Sequence, residues 1–344
     1  MNTPVLEATN LSKEFPVHGR GARGTTVKAV QNANVTLHKG SIVALVGESG
    51  SGKTTVARML ALAYPQTAGT IRLNGEEVSH AKNAERSYFR QVQLIFQDPF
   101  ASLNPLHKVR YTLGRALRIH QRGLRGKQLE EQILELLRKV NLTPVEQFID
   151  KFPHELSGGQ RQRIVIARAL AVRPSVLLGD EPISMLDVSI RLDILNLLAK
   201  LRDEEGLALL YITHDIASAR YLCDSIQVMY AGQMVEGGPR ESVIQSPKHP
   251  YTKLLLDSSP DPGRSLRSGD TGHGTGLFDV AGDDLGEPPN LVDPPSGCQF
   301  HPRCPFAMDE CRQTFPERTE FPDGQWAHCW LHQRNRGHVL EGNS

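Results

Sequence analysis

The stretch Gly47-Glu48-Ser49-Gly50-Ser51-Gly52-Lys53-Thr54 constrains this chain more than any other, because it fits the pattern G-x-x-x-x-G-K-[ST]. The run before it, SIVALV, is apolar and has the length of a buried strand, and the run after it, TVARMLALA, reads as a helix. The glycines permit a tight turn whose backbone N–H groups converge on phosphate oxygens, and the helix N-terminus adds partial positive charge. Gly47, Ser49, Gly50, Ser51, Gly52 and Thr55 then surround the phosphates of a nucleotide. Lys53 reaches its β- and γ-phosphates, and the Thr54 hydroxyl ligates Mg²⁺.

Such a loop needs an acid for the metal, and SVLLGDEP supplies one. Asp180 ends an apolar strand and suits the Mg²⁺ shell; Glu181, one residue on, is placed to polarise an attacking water. Alone, an Asp-Glu pair at a strand end is as readily a helix cap followed by a first-turn acid. Downstream of a phosphate loop it points to chemistry.

The organisation agrees. SVLLGD, ISMLDVSIRLDILNLLAKLRDEEG and LALLYITHD alternate strand and helix, which predicts an α/β fold with a mostly parallel sheet. Residues from about 98 to 172 are richer in helical patterning, as in ALRIHQRGLRGKQLEEQILELLRKVNL, and look inserted between two halves of that core. Residues 1–257 thus form the main domain. Residues 258–297, full of Gly, Pro, Asp and Ser, read as a linker or meander, and 298–344 as a small cysteine-rich extension.

Lys and Arg number 39 against 38 Asp and Glu, so net charge gives no reason to expect a nucleic-acid partner. The basic run from Arg118 to Lys127 reads as a solvated surface. No apolar run approaches the ~20 residues that span a bilayer, and MNTPVLEATN lacks the features of a signal peptide. The expected location is the cytoplasm, with any membrane association made through a partner.

Cys223 lies in the apolar stretch YLCDSIQVMY and reads as an inert core thiol. Cys298, Cys304, Cys311 and Cys329 have the spacing C-x5-C-x6-C-x17-C, unlike the paired C-x2-C of common zinc sites. Four thiolates suit either a [4Fe–4S] cluster or Zn²⁺, and unligated thiols are the third reading. His301, His328 and His332 lie near enough in sequence to replace a thiolate in a zinc site.

Leu156-Ser157-Gly158-Gly159-Gln160, about twenty residues before Asp180, resembles the signature of the ABC-family ATPases. Further elements follow the family's order. Gln97 in LIFQDP resembles the Q-loop glutamine, a Mg²⁺ ligand beside Thr54 and Asp180. Ser184-Met185-Leu186-Asp187 resembles the D-loop, with Met185 where the family more often has Ala. His214 in YITHD resembles the switch histidine, and Phe15 in NLSKEF the adenine-stacking aromatic, a core Phe being its other reading. The resemblance implies an antiparallel β subdomain beside the parallel sheet. It also implies a catalytic set of Glu181, His214 and Gln97, with ATP and Mg²⁺ as ligands. The signature, Ser157 and Gly159 above all, would close on ATP held by a second ATPase subunit, so that two nucleotides lie at a dimer interface.

FQDPFASLNP, KHPYTKLLL and PPSGCQFHPRCPFAMDEC resemble the oligopeptide and dipeptide importers of that family. This implies a peripheral position on the cytoplasmic face of the membrane. The partners implied are a second ATPase chain of different sequence, two transmembrane permease subunits and an external substrate-binding protein. Residues Phe100–Pro105 would receive a permease helix, and a [4Fe–4S] cluster would sit on the four late cysteines. Relatives of this type also move nickel, oligosaccharides or opines. A soluble ABC ATPase of translation or repair would carry a second cassette or long insertions, which this chain lacks. A nonenzymatic metal-binding regulator would not need Lys53, Asp180, Glu181 and His214 together.

Overall fold

The computed structural model describes residues 3–17, 25–78, 82–121, 123–258 and 286–333. It opens with two long strands, β1 (Pro4–Pro16) and β2 (Thr26–His38), followed by β3 (Ile42–Val46), helix α1 (Lys53–Leu60), β4 (Ala68–Leu73) and β5 (Glu76–Glu77). These strands, β3 excepted, form an antiparallel layer in the order β5-β4-β1-β2. Leu6, Ala8 and Leu11 of β1 bury one face against Val30, Val35 and Leu37 of β2. A register shift between Ala8 and Leu11 keeps that face apolar where strict alternation would turn Leu11 outward.

Next come α2 (Lys82–Gln91) and β6 (Val92–Ile95). Between β6 and β7 (Val176–Asp180) lie α3 (Pro99–Ser102), α4 (Val109–His120), α5 (Gly126–Lys139), α6 (Glu146–Ile149) and α7 (Gly158–Leu170). The chain continues through α8 (Val188–Glu205), β8 (Ala208–Thr213), α9 (Ile216–Leu222), β9 (Ser225–Tyr230) and β10 (Gln233–Pro239). Strands β9-β3-β8-β7-β6 are parallel neighbours in that order, and β10 turns back antiparallel on β9.

Every residue of β3, β7 and β8 is buried, as a sheet covered on both faces requires. The period-two alternation then sorts side chains between two cores. Val43, Leu45, Leu178 and Leu210 join the core beneath α1 and the antiparallel layer. Ile42, Ala44, Val46 and Leu177 join the core shared with α4, α5, α7 and α8.

After α10 (Arg240–Gln245) and α11 (Pro250–Asp257) come α12 (Asp309–Gln313), β11 (Thr319–Glu320) and β12 (Trp326–Ala327). Residues 259–285 of the expected linker lie outside the described residues, as do 334–344. Among the described residues, the cysteine-bearing segment packs into the core of the main domain. β12 pairs antiparallel with β10, Glu236 opposite Ala327 and Gly237 opposite Trp326, and Cys298, Phe300 and Cys311 belong to the same core as α4 and α7. Gly237 makes room for the indole: a Cβ there would lie 2.5 Å from Trp326 Cζ2. Among the described residues, no helix is long and apolar enough to cross a membrane.

Candidate nucleotide site

The turn after β3 folds as it does because it is wedged between β2 and β9. A Cβ on Gly47 (φ 155°) would sit 2.1 Å from the Met229 carbonyl oxygen, and one on Gly52 (φ 104°) 2.3 Å from that of Ala29. Only glycine fits both backbone and space there. Lys53 begins α1 and is 5% exposed. Its Nζ donates to the Gly47 carbonyl at 2.8 Å, the Glu48 carbonyl at 2.7 Å and Ser51 Oγ at 3.3 Å. Burial lowers its pKa to about 8, against the opposing pull of Glu181, Asp180 and Glu48.

Thr54, next on α1, donates from Oγ1 to Asp180 Oδ1 at 2.8 Å, joining β3's loop to the end of β7. Burial raises the Asp180 carboxyl above the usual range, while the Thr54 hydrogen bond acts the other way. Glu181 follows with φ 48°, a left-handed conformation uncommon for a non-glycine residue, its N–H donating to the Ile212 carbonyl at 3.0 Å. Both its carboxylate oxygens are engaged. Gln97 Nε2, beyond the end of β6, donates to Oε2 at 2.9 Å, and His214 Nδ1, beyond the end of β8, lies 3.1 Å from Oε1. The ends of three parallel strands thus converge on one carboxylate, at the carboxyl edge where α/β sheets bind ligands.

Ser49, Lys53, Thr54, Gln97, Glu181 and His214 line a cavity of about 540 Å³, together with Gly50, Gly52, Thr55, Ala29 and Leu291. Most of the residues marked out in the sequence are therefore brought together, with Asp180 behind them on Thr54. Phe15 is not among those lining the cavity. Its half-buried ring meets Tyr64 edge-on at 5.4 Å, with Lys13 Nζ 4.9 Å from its centroid.

Leu156–Gln160 also stand apart from the cavity. Ser157 caps α7: its Oγ accepts from Gln160 N at 3.3 Å, and Gln160 Oε1 accepts from Ser157 N at 3.0 Å, a reciprocal capping box. Leu156 is buried, and Gly159 lets α7 approach α8, since a Cβ there would lie 2.4 Å from Ile190 Cγ2. Asp187 is the N-cap of α8, after the turn Ser184–Leu186, in which Ser184 Oγ donates to the Glu181 carbonyl at 3.1 Å.

Cys298, Cys304, Cys311 and Cys329 line a second, small cavity together with His249 and His301. Burial pushes the thiols of Cys298 and Cys329 up to about 12 and that of Cys304 up to about 11. His249 Nε2 is 3.8 Å from Cys298 Sγ. Among the described residues, no group of three His, Cys, Asp or Glu side chains could hold a metal ion. The geometry therefore does not fit a single zinc ion, whose four ligands surround one point at about 2.0–2.3 Å, and the expected cluster gains no support from it. Cys223 is fully buried, its thiol raised by burial.

Three contacts at the phosphate loop were not marked out in the sequence. Tyr251 Oη accepts from Glu48 N–H at 2.8 Å; Arg303 Nη1 donates to both Glu48 carboxylate oxygens at 3.1 and 3.0 Å; and Leu291 faces the cavity. Tyr251 stands inside the KHPYTKLLL run and Arg303 beside Cys304, so motif-bearing stretches did hold two of them.

A phosphate loop after β3, an acid pair at the end of β7, one strand removed, and a capped LSGGQ helix on one parallel sheet define an ATP-binding cassette with ATPase chemistry. Comparison with known proteins narrows the class. Residues 30–184 match the ABC transporter family, and 235–311 the oligopeptide/dipeptide transporter C-terminal region. The chain is 39% identical to a probable peptide ABC transporter ATP-binding protein of Sinorhizobium fredii, over 96% of this chain and 90% of that one. It is 39% identical to a dipeptide transport ATP-binding protein of Haemophilus influenzae, over 96% and 97%. A putative oligopeptide transport ATP-binding protein of Bacillus subtilis is 40% identical over 96% of each. Among solved structures, a dimeric ATP-binding cassette in a post-hydrolysis state with ADP and Pi superposes with a TM-score of 0.61 at 28% identity, over 68% of this chain and 98% of that one. A component of an ABC transporter complex from Clostridium perfringens shares the fold, with a TM-score of 0.62 over 71% and 92%. The chain belongs to the ABC transporter ATP-binding proteins of the oligopeptide/dipeptide type.

Proposed function

We propose that this ATPase powers the import of oligopeptides or dipeptides through a membrane permease. The observation that carries the reading is the near full-length likeness, at 39–40% identity, to ATP-binding proteins named for peptide and dipeptide transport. In the hydrolytic step Glu181 orients and polarises the attacking water, while Gln97 and His214 hold the carboxylate in place. Lys53 and the N–H groups of the loop neutralise the phosphates. Thr54, Asp180 and Gln97 would hold Mg²⁺, whose chemistry is to offset charge on the β- and γ-phosphates.

A second cassette completes the site. What supports this is that Leu156–Gln160 lie outside the chain's own cavity while a row of apolar side chains beside them is exposed: Met185 at 55%, Val188 at 80% and Leu192 at 47%. The permease docks near Phe100–Pro105. A cleft lined by Leu106, Tyr111, Leu129 and Phe152 supports that reading, as does the exposure of Phe100 and Leu106.

A [4Fe–4S] cluster on Cys298, Cys304, Cys311 and Cys329 rests on the resemblance of the late cysteine run alone, and a direct measurement decides it. Anaerobically purified protein should then be brown and contain iron; colourless, iron-free protein removes the cluster. For the transport reading, the chain co-expressed with its permease subunits and reconstituted in liposomes should accumulate labelled peptide only when ATP is present. Uptake of other cargo classes but not of peptides would overturn it.

A further inference from the structure

The nucleotide cavity has one wall that the cassette core does not supply. Leu291 comes from the chain beyond residue 285, yet lines the same space as Lys53, Thr54 and Glu181. Its placement is fixed at several points. Lys28 N–H, on β2, donates to the Leu291 carbonyl at 2.9 Å, so residue 291 is laid along the strand that carries Ala29. Asn290 Oδ1 accepts from Val292 N–H at 2.9 Å, and Pro288 and Pro289 stiffen the approach beside Glu48, Ser51 and Tyr230. Further along, Arg303 grips the Glu48 carboxylate. The segment is therefore tied to β2 at Leu291 and to the phosphate loop at Arg303.

The cavity's lining is of two chemical kinds. Lys53, Thr54, Gln97, Glu181 and His214 supply polar surface suited to phosphate and water. Ala29 and Leu291 contribute apolar carbon to the same lining, while the Phe15 ring meets Tyr64 and does not line the space. A nucleoside offers an apolar face to such a wall. Resting on the reading that the cavity binds ATP, we propose that Leu291 is a nucleoside-contacting residue, and that the C-terminal segment completes the nucleotide pocket of its own chain.

The test is calorimetric binding of ATP, ADP and inorganic tripolyphosphate, each with Mg²⁺, to the full chain and to Leu291→Ala, Leu291→Asp and Leu291→Met. Leu291→Ala should weaken ATP and ADP by about tenfold, as loss of a well-packed aliphatic contact does. Leu291→Asp should weaken them further, Leu291→Met should bind as wild type does, and tripolyphosphate should bind all four alike. Wild-type nucleotide affinity in folded Leu291→Ala overturns the proposal, and so does an equal loss for tripolyphosphate, which would make Leu291 a support of the phosphate loop. If Leu291→Asp fails to fold, the Ala and Met variants decide. Wild-type protein that binds no nucleotide at all sinks the ATP reading itself, a result distinct from either of these.

Discussion

Gln97 holds Glu181 across 84 residues of sequence, its Nε2 donating to Oε2 at 2.9 Å. With His214 at the other oxygen, the carboxylate has little freedom to turn, and its backbone is already committed to a left-handed φ of 48°. A base fixed in this way acts on one water position. Glu181→Gln keeps the shape and the hydrogen-bonding capacity but loses the proton acceptor. Turnover should fall by about 10²–10⁴-fold, with ATP affinity within about threefold of wild type because the phosphate contacts lie elsewhere. Steady-state phosphate release together with equilibrium ATP binding checks it, and undiminished turnover would remove Glu181 from its role.

The glycines of the phosphate loop differ in what they do. Gly50 has φ 77° with open space around its missing Cβ, so Gly50→Ala should cost only the left-handed strain, about 1–2 kcal/mol. Gly47 is closed by the Met229 carbonyl at 2.1 Å, and backbone cannot step aside as a side chain would. Gly47→Ala should therefore cost about 3 kcal/mol or more and displace the carbonyl that Lys53 grips. Denaturation midpoints and nucleotide titrations of the two variants should separate clearly; equal effects would contradict the wedge between β2 and β9.

That contrast also shows where sequence stops being informative. The loop, Asp180, Glu181, Gln97 and His214 are legible because each stands at the end of an apolar run, and a parallel sheet brings such ends together. Leu291 is not legible. With Val292 it makes a short apolar pair in a stretch of Gly, Pro and Asp, and nothing in its neighbours' spacing says that Lys28 will seize its carbonyl. Phe15 is legible only through the resemblance. The resemblance marks it for the base, and no motif reveals that its ring also meets Tyr64, which follows the end of α1. The cysteines are intermediate: their spacing predicts that they gather, and they do line one cavity, yet the same spacing does not reveal that β12 would stitch them into the main sheet through β10.

His249 should make the fold sensitive to acid. It is fully buried, and burial holds its pKa down to about 3, with His328 and His332 adding to the effect. The folded imidazole thus stays neutral where the unfolded one takes up a proton. Its contribution is intact above the unfolded pKa near 6.5 and is lost progressively as pH falls from there toward 3. His249 Nδ1 also accepts from Tyr251 N–H at 3.1 Å, capping α11. Asn can make that cap without titrating. Between pH 6 and 4 the unfolding free energy of wild type should therefore fall more steeply than that of His249→Asn, by up to about 1.4 kcal/mol per pH unit. Parallel slopes would show that another group carries the acid sensitivity.

Arg303 and Glu48 should be energetically coupled although 255 residues separate them. Both donor contacts come from Nη1, at 3.1 and 3.0 Å, and the side chains are 12% and 28% exposed, so water screens the pair only in part. Tyr230 Oη, 3.2 Å from the same nitrogen, and Tyr251 Oη, on the Glu48 N–H, complete the environment. Removing the guanidinium leaves a half-buried carboxylate at the lip of the phosphate loop with one partner fewer. Removing the carboxylate leaves Arg303 with only the tyrosine among these contacts. A cycle of Arg303→Met, Glu48→Ala and the double variant, followed by urea denaturation, should give a coupling energy of about 1–2 kcal/mol. A value near zero would mean that the segment bearing Leu291 rests beside the loop without being fastened to it by this pair, and that the Lys28–Leu291 hydrogen bond carries the attachment.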